Sequence, residues 1–277
     1  MASGRTRVAL SIAGSDSGGG AGVGADLKAF AACGVHGTCA ITAITAQNTV
    51  GVSAIQPIEP EMVLAQVRAV LGDIGVDAVK VGMLATGAVA SAVARALEEL
   101  PPGTPVVIDP VMVAESGARL LELGAERVLV EQILPRATVI TPNLIEARVL
   151  VGAGAREDEL DGEAEALALA LLELGPAAVV VTGGHRRSAV DVVAERGAGE
   201  TLSLAGERHP GGAAHGSGCT HSAALAAQLA LGLPLLEAAR RARILAGRAI
   251  AQGLRDVGAG AGPVDALGLE RQRSRLS

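Results

Sequence analysis

The segment with the clearest chemistry spans residues 215–220, His-Gly-Ser-Gly-Cys-Thr, and leads into a run rich in Ala and Leu. Ala and Leu favour helix interiors, whereas Gly and Ser favour helix entry, so residues 216–219 are predicted to begin a helix. Unpaired N–H groups and the helix dipole favour an anion there, and glycine lets the main chain approach a phosphate. The same dipole would lower the pKa of the Cys219 thiol. A capped helix with a buried, unreactive cysteine is the alternative interpretation.

Short apolar strands and amphipathic helices alternate along the 277 residues. Strands are predicted at 8–13, 37–46, 52–55, 78–81, 105–109, 138–141 and 177–182, with a late hairpin at 189–195 and 200–204. Helices are predicted at 23–33, from 60 onward, and at 86–100, 124–134, 143–151, 162–174, 217–231 and 235–253. This alternation is typical of an α/β fold, with a mostly parallel central sheet covered by helices on both faces. No linker or repeat divides the chain, so residues 1–277 are predicted to form a single domain.

Small or polar residues follow most of these strands. Ligands bind at the carboxyl edge of such a sheet, where strands end and helices begin. The candidates at this edge are the glycine-rich segment 14–22, Gln47, Met83, Asp109, Val111, Asn143, Glu146, Thr182 and residues 216–219. A ligand crevice at this edge is therefore expected.

The glycine segment does not fit a dinucleotide-binding fold. Gly20-x-Gly22-x-x-Ala25 follows a strand and opens a helix, but no acidic residue lies between Ala29 and Glu59 to hold a ribose. A Walker phosphate loop is also absent from the sequence. The phosphate site is therefore predicted at residues 216–219.

Asn143 and Glu146 have the spacing of a helix cap and of a metal site. Asn143 can cap the helix that it precedes, and Glu146 in its first turn completes the capping interpretation. Alternatively, both residues hold waters around Mg²⁺, a hard cation that retains much of its hydration shell. Asp109 ends a predicted strand at the same edge and could contribute to that site, although an Asp before Pro is also a common turn residue.

Composition restricts the partners and the compartment. The formal net charge is −6 and no basic cluster lies beside aromatic residues, which argues against a nucleic-acid partner. Three cysteines without C-x-x-C spacing argue against disulfides and zinc, and suit a reducing compartment. No apolar stretch reaches the roughly 18 residues of a membrane span. A cytoplasmic protein without membrane association is predicted.

Several motifs together resemble the hydroxymethylpyrimidine/phosphomethylpyrimidine kinases of thiamin biosynthesis, which belong to the ribokinase-like superfamily. They are AGSDSGGGAG at 13–22 with ADLK at 25–28, TAQNT at 45–49, VGML at 81–84, DPVM at 109–112, TPNL-x-EA at 141–147, GGH at 183–185, HGSGCT at 215–220 and GPV at 262–264. The resemblance covers about residues 7–267. It implies a three-layer α/β/α sandwich without a separate lid domain.

The resemblance also implies an ATP- and Mg²⁺-dependent kinase that phosphorylates a hydroxymethylpyrimidine and then its monophosphate, as a homodimer. The implied catalytic group comprises Cys219, as the base, and the anion hole of Gly216, Ser217 and Gly218. The implied substrate contacts are Gln47, whose carboxamide suits an aminopyrimidine edge, with Gly14, Asp26, Met83 and Val111. The implied nucleotide contacts are Thr182, Arg243 and Asn143, and the implied metal ligands are Asp109 and Glu146.

Four positions differ from the family pattern. Ser217 replaces a common Thr, and Gly24 stands where Gln is frequent. Thr182 stands where the family usually has Lys, and Arg243 stands where it tends to have Lys, so the cationic contacts to nucleotide phosphate are altered. Two alternatives follow: a pyridoxal kinase of the same superfamily, which shares the cysteine-bearing loop, and a pyrimidine-binding protein with impaired catalysis.

Overall fold

The computed structural model describes residues 4–114, 117–122, 124–154, 162–183 and 189–269. Its first half contains β1 (Val8–Ala13), α1 (Gly22–Ala32), β2 (His36–Ile41), β3 (Ala43–Asn48), β4 (Gly51–Pro57), α2 (Pro60–Asp73), β5 (Ala78–Val81), α3 (Gly87–Glu98) and β6 (Val106–Ile108). Its second half contains α4 (Ala125–Val128), β7 (Val139–Ile140), α5 (Leu144–Leu150), α6 (Glu163–Leu172), β8 (Ala178–Val181), β9 (Val190–Glu195), β10 (Thr201–Ala205), α7 (Ser217–Ala230) and α8 (Leu235–Ala251). A π-helical turn, Leu129–Ile133, and a 3-10 turn, Leu134–Arg136, extend α4.

Eight of these strands form one sheet in the order β10-β9-β8-β7-β6-β5-β1-β2. Strands β2, β1, β5, β6, β7 and β8 pair in parallel, whereas β9 and β10 add an antiparallel edge. The predicted mostly parallel sheet and late hairpin are therefore confirmed. Because the parallel strands share one direction, their carboxyl ends meet along one edge.

The sheet buries an apolar core on each face. Alternate residues of a strand point to opposite faces, so Leu10 and Ile12 of β1 belong to the core that includes residues of helices α2 to α6, while Ala9 belongs to the core that includes residues of α1, α7 and α8. Phe30, the single aromatic residue, is fully buried in the second of these cores. Helices therefore cover both faces, as predicted.

One predicted strand is in fact two separate strands. Residues 37–46 were expected to form a single strand, but the chain breaks after β2 at Thr42 and continues as β3, which pairs only with β4. Thr42 is anchored at the break because its N–H donates to Ala13 and its hydroxyl donates to the Met83 carbonyl. The antiparallel β3-β4 hairpin stands apart from the main sheet and carries Gln47.

In the part of the chain that the structure describes, no helix is both long and apolar enough to cross a membrane.

Candidate active site

A cleft of about 1870 Å³ runs along the carboxyl edge of the main sheet. The strand ends, the β3-β4 hairpin and the start of α7 form its walls. All of the predicted site residues except Asp26 line it: Gly14, Gln47, Met83, Asp109, Val111, Asn143, Glu146, Thr182, Gly216, Ser217, Gly218, Cys219 and Arg243. The fold thus brings together, in one cleft, predicted site residues that lie more than 200 positions apart in the sequence.

The helix start predicted at residues 216–219 is present. Helix α7 begins at Ser217, and Gly216 precedes it in the left-handed conformation with φ 80°. No side chain caps this helix start. Within the described chain the N–H groups of Gly218 and Cys219 have no acceptor, whereas Ser217 N–H donates to Ala214. Free N–H groups at a helix N-terminus that faces a cleft can bind an anion.

The expected low pKa of Cys219 is wrong for the ligand-free protein. Burial raises the pKa of the Cys219 thiol to about 12, although the positive charge of Lys80 and the Gly22 N–H lower it in part. Nearby Asp109 and Asp26 raise it further. The helix dipole acts on this thiol, but desolvation of a thiolate is the larger effect here. Cys219 is therefore a neutral thiol before ligands bind.

Asp26 does not open on the cleft. Its side chain is fully buried and accepts hydrogen bonds from Lys80 Nζ, at 2.9 and 3.0 Å, and from Ser11 Oγ at 2.6 Å. Asp26 was expected to contact substrate, but the structure places it behind Lys80, where it supports that side chain. Lys80 does line the cleft, and its Nζ lies 3.8 Å from Asp109 Oδ2.

Lys80 is a charged group that the sequence reasoning missed. Burial alone would lower the pKa of Lys80, but the negative charges of Asp26 and Asp109 and the hydrogen bond to Asp26 raise it above its ordinary value. A lysine in the middle of the apolar strand at 78–81 is a signal in itself, since unpaired lysine is almost never buried.

Gln47 lies on β3 of the hairpin, not at an end of the main sheet. Its main chain is held by Ser17, whose Oγ donates to the Gln47 carbonyl at 2.6 Å and accepts from the Gln47 N–H at 2.8 Å. The Gln47 side-chain oxygen accepts from Thr45 Oγ1 at 3.2 Å. The carboxamide is thus oriented by its own strand, with its NH₂ group available to a ligand.

Gly14 and Met83 form a close contact beside Gln47. A Cβ on Gly14 would lie 2.8 Å from the Met83 Sδ atom, so a side chain at position 14 would displace the end of Met83 from this wall. Met83 and Val111 belong to a small apolar cluster that also includes Ala43 of the hairpin. This part of the cleft suits a flat apolar ring with polar edges.

Asn143 and Glu146 form the capping box that their spacing predicts. Asn143 Oδ1 accepts from the Glu146 N–H, and Glu146 Oε2 accepts from the Asn143 N–H, each at 2.9 Å. Burial and the nearby charge of Asp109 raise the pKa of Glu146 to about 8. Two carboxyl groups therefore face one region of the cleft, and the charge of Asp109 disfavours the ionised form of Glu146.

Thr182 and Arg243, the expected nucleotide contacts, both line the cleft, and Thr182 pairs with Asn143 through its main chain. Arg243 binds the Asp191 carboxylate and the Ala189 carbonyl, so its charge is already partly matched. Thr182 N–H donates to the Pro142 carbonyl. Asp191 also faces buried His221, with 3.4 Å between Asp191 Oδ2 and His221 Nε2. Gly184 and His185 of the GGH motif lie outside the described residues.

Asp16 and His215 were quoted in the motifs without a role, and the structure joins them. His215 Nε2 lies 2.8 Å from Asp16 Oδ2, and both side chains are buried. Burial raises the pKa of Asp16, but hydrogen bonds from His215, Gly18 and Ala21 lower it more, so this pKa lies below its ordinary value. The glycine-rich segment is therefore organised around an ionised carboxylate.

Comparison with known proteins agrees with this arrangement. The profile of the family described as phosphomethylpyrimidine kinase matches residues 16–265. The chain is 47% identical over 267 residues to a hydroxymethylpyrimidine/phosphomethylpyrimidine kinase from Rhizobium meliloti, and the match covers 94% of this chain and 96% of that relative.

Two solved structures are similar to the whole fold. Phosphomethylpyrimidine kinase from Clostridium difficile 630 gives a TM-score of 0.74 at 36% identity, covering 86% of this chain and 97% of that one. Pyridoxal kinase from Staphylococcus aureus, in complex with AMP-PCP and pyridoxal, gives a TM-score of 0.83 at 30% identity, covering 97% of this chain and 96% of that one. The architecture is thus ribokinase-like, and the chain is a kinase that belongs to the phosphomethylpyrimidine kinase family.

Proposed function

We propose that this kinase transfers a phosphoryl group from ATP to the hydroxymethyl oxygen of 4-amino-5-hydroxymethyl-2-methylpyrimidine, and a second one to the resulting monophosphate. The product, a diphosphate, serves thiamin biosynthesis. The observation that carries this proposal is that the Gln47 carboxamide and the α7 helix start line one continuous cleft. The first suits an aminopyrimidine edge and the second suits a phosphoryl group.

The pyrimidine is proposed to lie between Gln47 and the apolar wall of Met83 and Val111. Gln47 offers a donor and an acceptor, which match the ring nitrogen and the amino group of the substrate. Gly14 leaves the space that Met83 occupies. With neither Trp nor Tyr in the sequence, stacking on those side chains is absent, and ring recognition depends on hydrogen bonds and on aliphatic contacts.

The transferring phosphoryl group is proposed to meet the anion hole formed by the backbone of Gly216, Ser217, Gly218 and Cys219, in which the N–H groups of Gly218 and Cys219 have no acceptor within the described chain. Such donors stabilise the charge that spreads over the phosphoryl oxygens in the transition state. Cys219 is proposed to accept the hydroxyl proton. For this step the thiol must first ionise, and the Lys80 charge and the Gly22 N–H are the described groups that stabilise its thiolate. Catalysis is therefore expected to increase with pH.

Mg²⁺ is proposed to lie near Asp109 and Glu146. Their oxygens are hard donors that suit this cation, and burial together with the nearby charge of Asp109 raises the pKa of Glu146, whose ionised form a bound cation would stabilise. Among the described residues, no group of three or more His, Cys, Asp or Glu side chains could hold a metal ion. Mg²⁺ would thus retain several waters, and when bound it neutralises charge on phosphate oxygens.

ATP is proposed to extend from the anion hole toward Thr182, Asn143 and Arg243. The Staphylococcus aureus neighbour, 30% identical, was solved with AMP-PCP, an ATP analogue, which supports a nucleotide in this fold. We further propose that residues 1–277 act as one domain, as a homodimer and in the cytoplasm. Sedimentation equilibrium of the purified protein tests the dimer, since a monomeric mass would contradict it.

Pyridoxal kinase activity is the second candidate. It is favoured by the similarity to the Staphylococcus aureus enzyme, which was solved with pyridoxal. Pyridoxal is also a flat heteroaromatic ring with a hydroxymethyl arm, so the wall of Met83 and Val111 does not discriminate between the two rings.

A substrate panel separates these functions. ADP release is measured with ATP, Mg²⁺ and, in separate reactions, the hydroxymethylpyrimidine, its monophosphate and pyridoxal. Turnover of both pyrimidines supports the proposal, whereas turnover of pyridoxal alone supports the second candidate. If none of the three releases ADP while the pyrimidine still binds, the chain is a pyrimidine-binding protein with impaired catalysis.

A further inference from the structure

Two glycine-rich loops meet in the cleft with no room for a side chain between them. The first glycine loop, residues 14–21, connects β1 to α1, and the second glycine loop, residues 215–219, opens α7. A Cβ on Gly216 would lie 1.7 Å from the Gly20 carbonyl oxygen. A Cβ on Gly20 would lie 2.2 Å from the His215 ring. The two loops therefore have a fixed relative position.

Asp16 and His215 connect the two loops through their side chains. Nε2 of His215 lies 2.8 Å from Oδ2 of Asp16, and both residues are more than nine-tenths buried. Because an ionised carboxylate only accepts, Nε2 carries the proton in this contact. The same carboxylate accepts from the N–H groups of Gly18, Gly20 and Ala21. One side chain thus fixes both the path of the first glycine loop and the place of His215.

The two loops that this contact joins lead to two different proposed ligand contacts. On one side, Ser17 of the first glycine loop exchanges two hydrogen bonds with the main chain of Gln47. On the other side, the His215 main chain pairs with the Pro263 segment, and the next residue, Gly216, opens the anion-binding helix start. The Asp16–His215 contact therefore lies between the proposed pyrimidine contact and the proposed phosphoryl contact.

We propose that Asp16 and His215 are positioning residues that set the distance between the bound pyrimidine and the helix start of α7. The inference rests on the proposed function. Transfer needs the hydroxymethyl oxygen close to the phosphoryl group and in line with it, and an error of 1 Å in such an arrangement can cost about 100-fold in rate. Loss of the contact is therefore expected to reduce kcat, while each ligand alone still finds its own half of the site.

The test compares Asp16→Asn, His215→Leu and His215→Gln with the wild type. The Gln variant retains an N–H donor near the position of Nε2. His36→Gln serves as the matched control, because His36 is exposed at the start of β2 and lies outside the cleft. For each protein, kcat and KM are measured with the pyrimidine and ATP. Pyrimidine affinity without ATP is measured by calorimetry, and folding is measured by thermal melting.

We expect His215→Leu to lower kcat about 10- to 100-fold, with the pyrimidine Kd changed less than about threefold. Asp16→Asn should lower kcat similarly, and His215→Gln should recover most of the loss. The inference is overturned if the folded Leu variant retains wild-type kcat, if only KM rises, or if Gln and Leu are equally impaired.

Failure of the proposed function would be seen in the wild type, whereas failure of the positioning inference would be seen in the variants. If the proposed function is wrong, the wild type itself releases no ADP with either pyrimidine, and the variants are then compared on pyridoxal if the wild type phosphorylates that instead. If the positioning inference is wrong, the wild type is active and the variants match it. A wild type that is inactive with every acceptor overturns both.

Discussion

Lys80 and Asp26 form an ion pair in which neither side chain has any solvent exposure. Lys80 Nζ contacts both carboxylate oxygens of Asp26, at 2.9 and 3.0 Å, and reaches within 3.8 Å of Asp109. The pair therefore places a fixed positive charge under the cleft, beside a proposed metal ligand and the Cys219 thiol. Asp26 holds that charge in place and does not itself line the cleft.

Breaking this pair is expected to cost stability. Lys80→Met leaves an uncompensated buried carboxylate, and such losses are typically about 3–5 kcal/mol in the free energy of unfolding. Urea unfolding at pH 7 measures this loss in the free energy of unfolding. Arg68→Met is the control, because Arg68 and its partner Glu99 are both partly exposed, and such surface pairs contribute little to stability. Equal losses in the two variants would contradict the assigned role of the pair.

The proposed catalytic role of Cys219 predicts a particular dependence of kcat on pH. Because burial raises the pKa of the thiol to about 12, the thiolate fraction and hence kcat should increase with pH through the alkaline range. Cys219→Asp, whose carboxyl ionises near pH 4 in water, should shift this rise to lower pH. Cys219→Ala should lose about 10²- to 10⁴-fold in kcat at every pH. A wild-type profile that is flat between pH 6 and 9.5 would argue against a base role.

The raised pKa of Glu146 predicts how the free energy of unfolding depends on pH in metal-free protein. Its pKa of about 8 exceeds the 4.5 of an ordinary glutamate, so the folded protein holds a proton that the unfolded chain releases between these values. The contribution of Glu146 is therefore present below pH 4.5 and is lost as pH rises toward 8, by at most about 1.4 kcal/mol per pH unit.

Urea unfolding in EDTA across this pH range tests that contribution. Glu146→Gln should flatten the decline, whereas Glu173→Gln, at an exposed position, should leave it unchanged. A decline of equal slope in the Glu146→Gln protein would mean that Glu146 is ionised in the folded state at neutral pH.

The two glycines of the helix start should respond differently to alanine. Gly216 has φ 80°, and its Cβ would lie 1.7 Å from a backbone oxygen, so Gly216→Ala must shift one of the two glycine loops. Gly218 has no atom within 4 Å of an added Cβ. We expect Gly216→Ala to lower the melting temperature by several degrees and Gly218→Ala to leave it within about one degree. Similar melting temperatures for the two variants would be inconsistent with this packing.

Most of the main sheet and of the cleft was predictable because the evidence is local. Apolar runs of four to six residues, glycine at strand ends, and the spacing of Asn143 and Glu146 determine short-range structure. The exit of the chain at Thr42 was not predictable, because residues 37–46 are uniformly compatible with a strand. The break depends on long-range hydrogen bonds from Thr42 to Ala13 and Met83.

Side-chain chemistry was harder to predict than position. The helix dipole at Cys219 was recognised, but its effect on the thiol pKa is outweighed by burial, which only the packed structure reveals. Likewise, Asp26 lies 54 residues from Lys80 and Asp16 lies 199 residues from His215. Charge pairing across such separations has no signal in the spacing of one sequence.

The most direct test of the account is phosphorus NMR of the products that wild type and Cys219→Ala form from ATP, Mg²⁺ and the hydroxymethylpyrimidine. We predict that the wild type gives a phosphate monoester resonance, followed by the two resonances of a diphosphate, and that the variant gives neither over the same time. A wild type that yields no phosphorylated pyrimidine, or a Cys219→Ala protein that yields both products at the wild-type rate, would contradict the central claim.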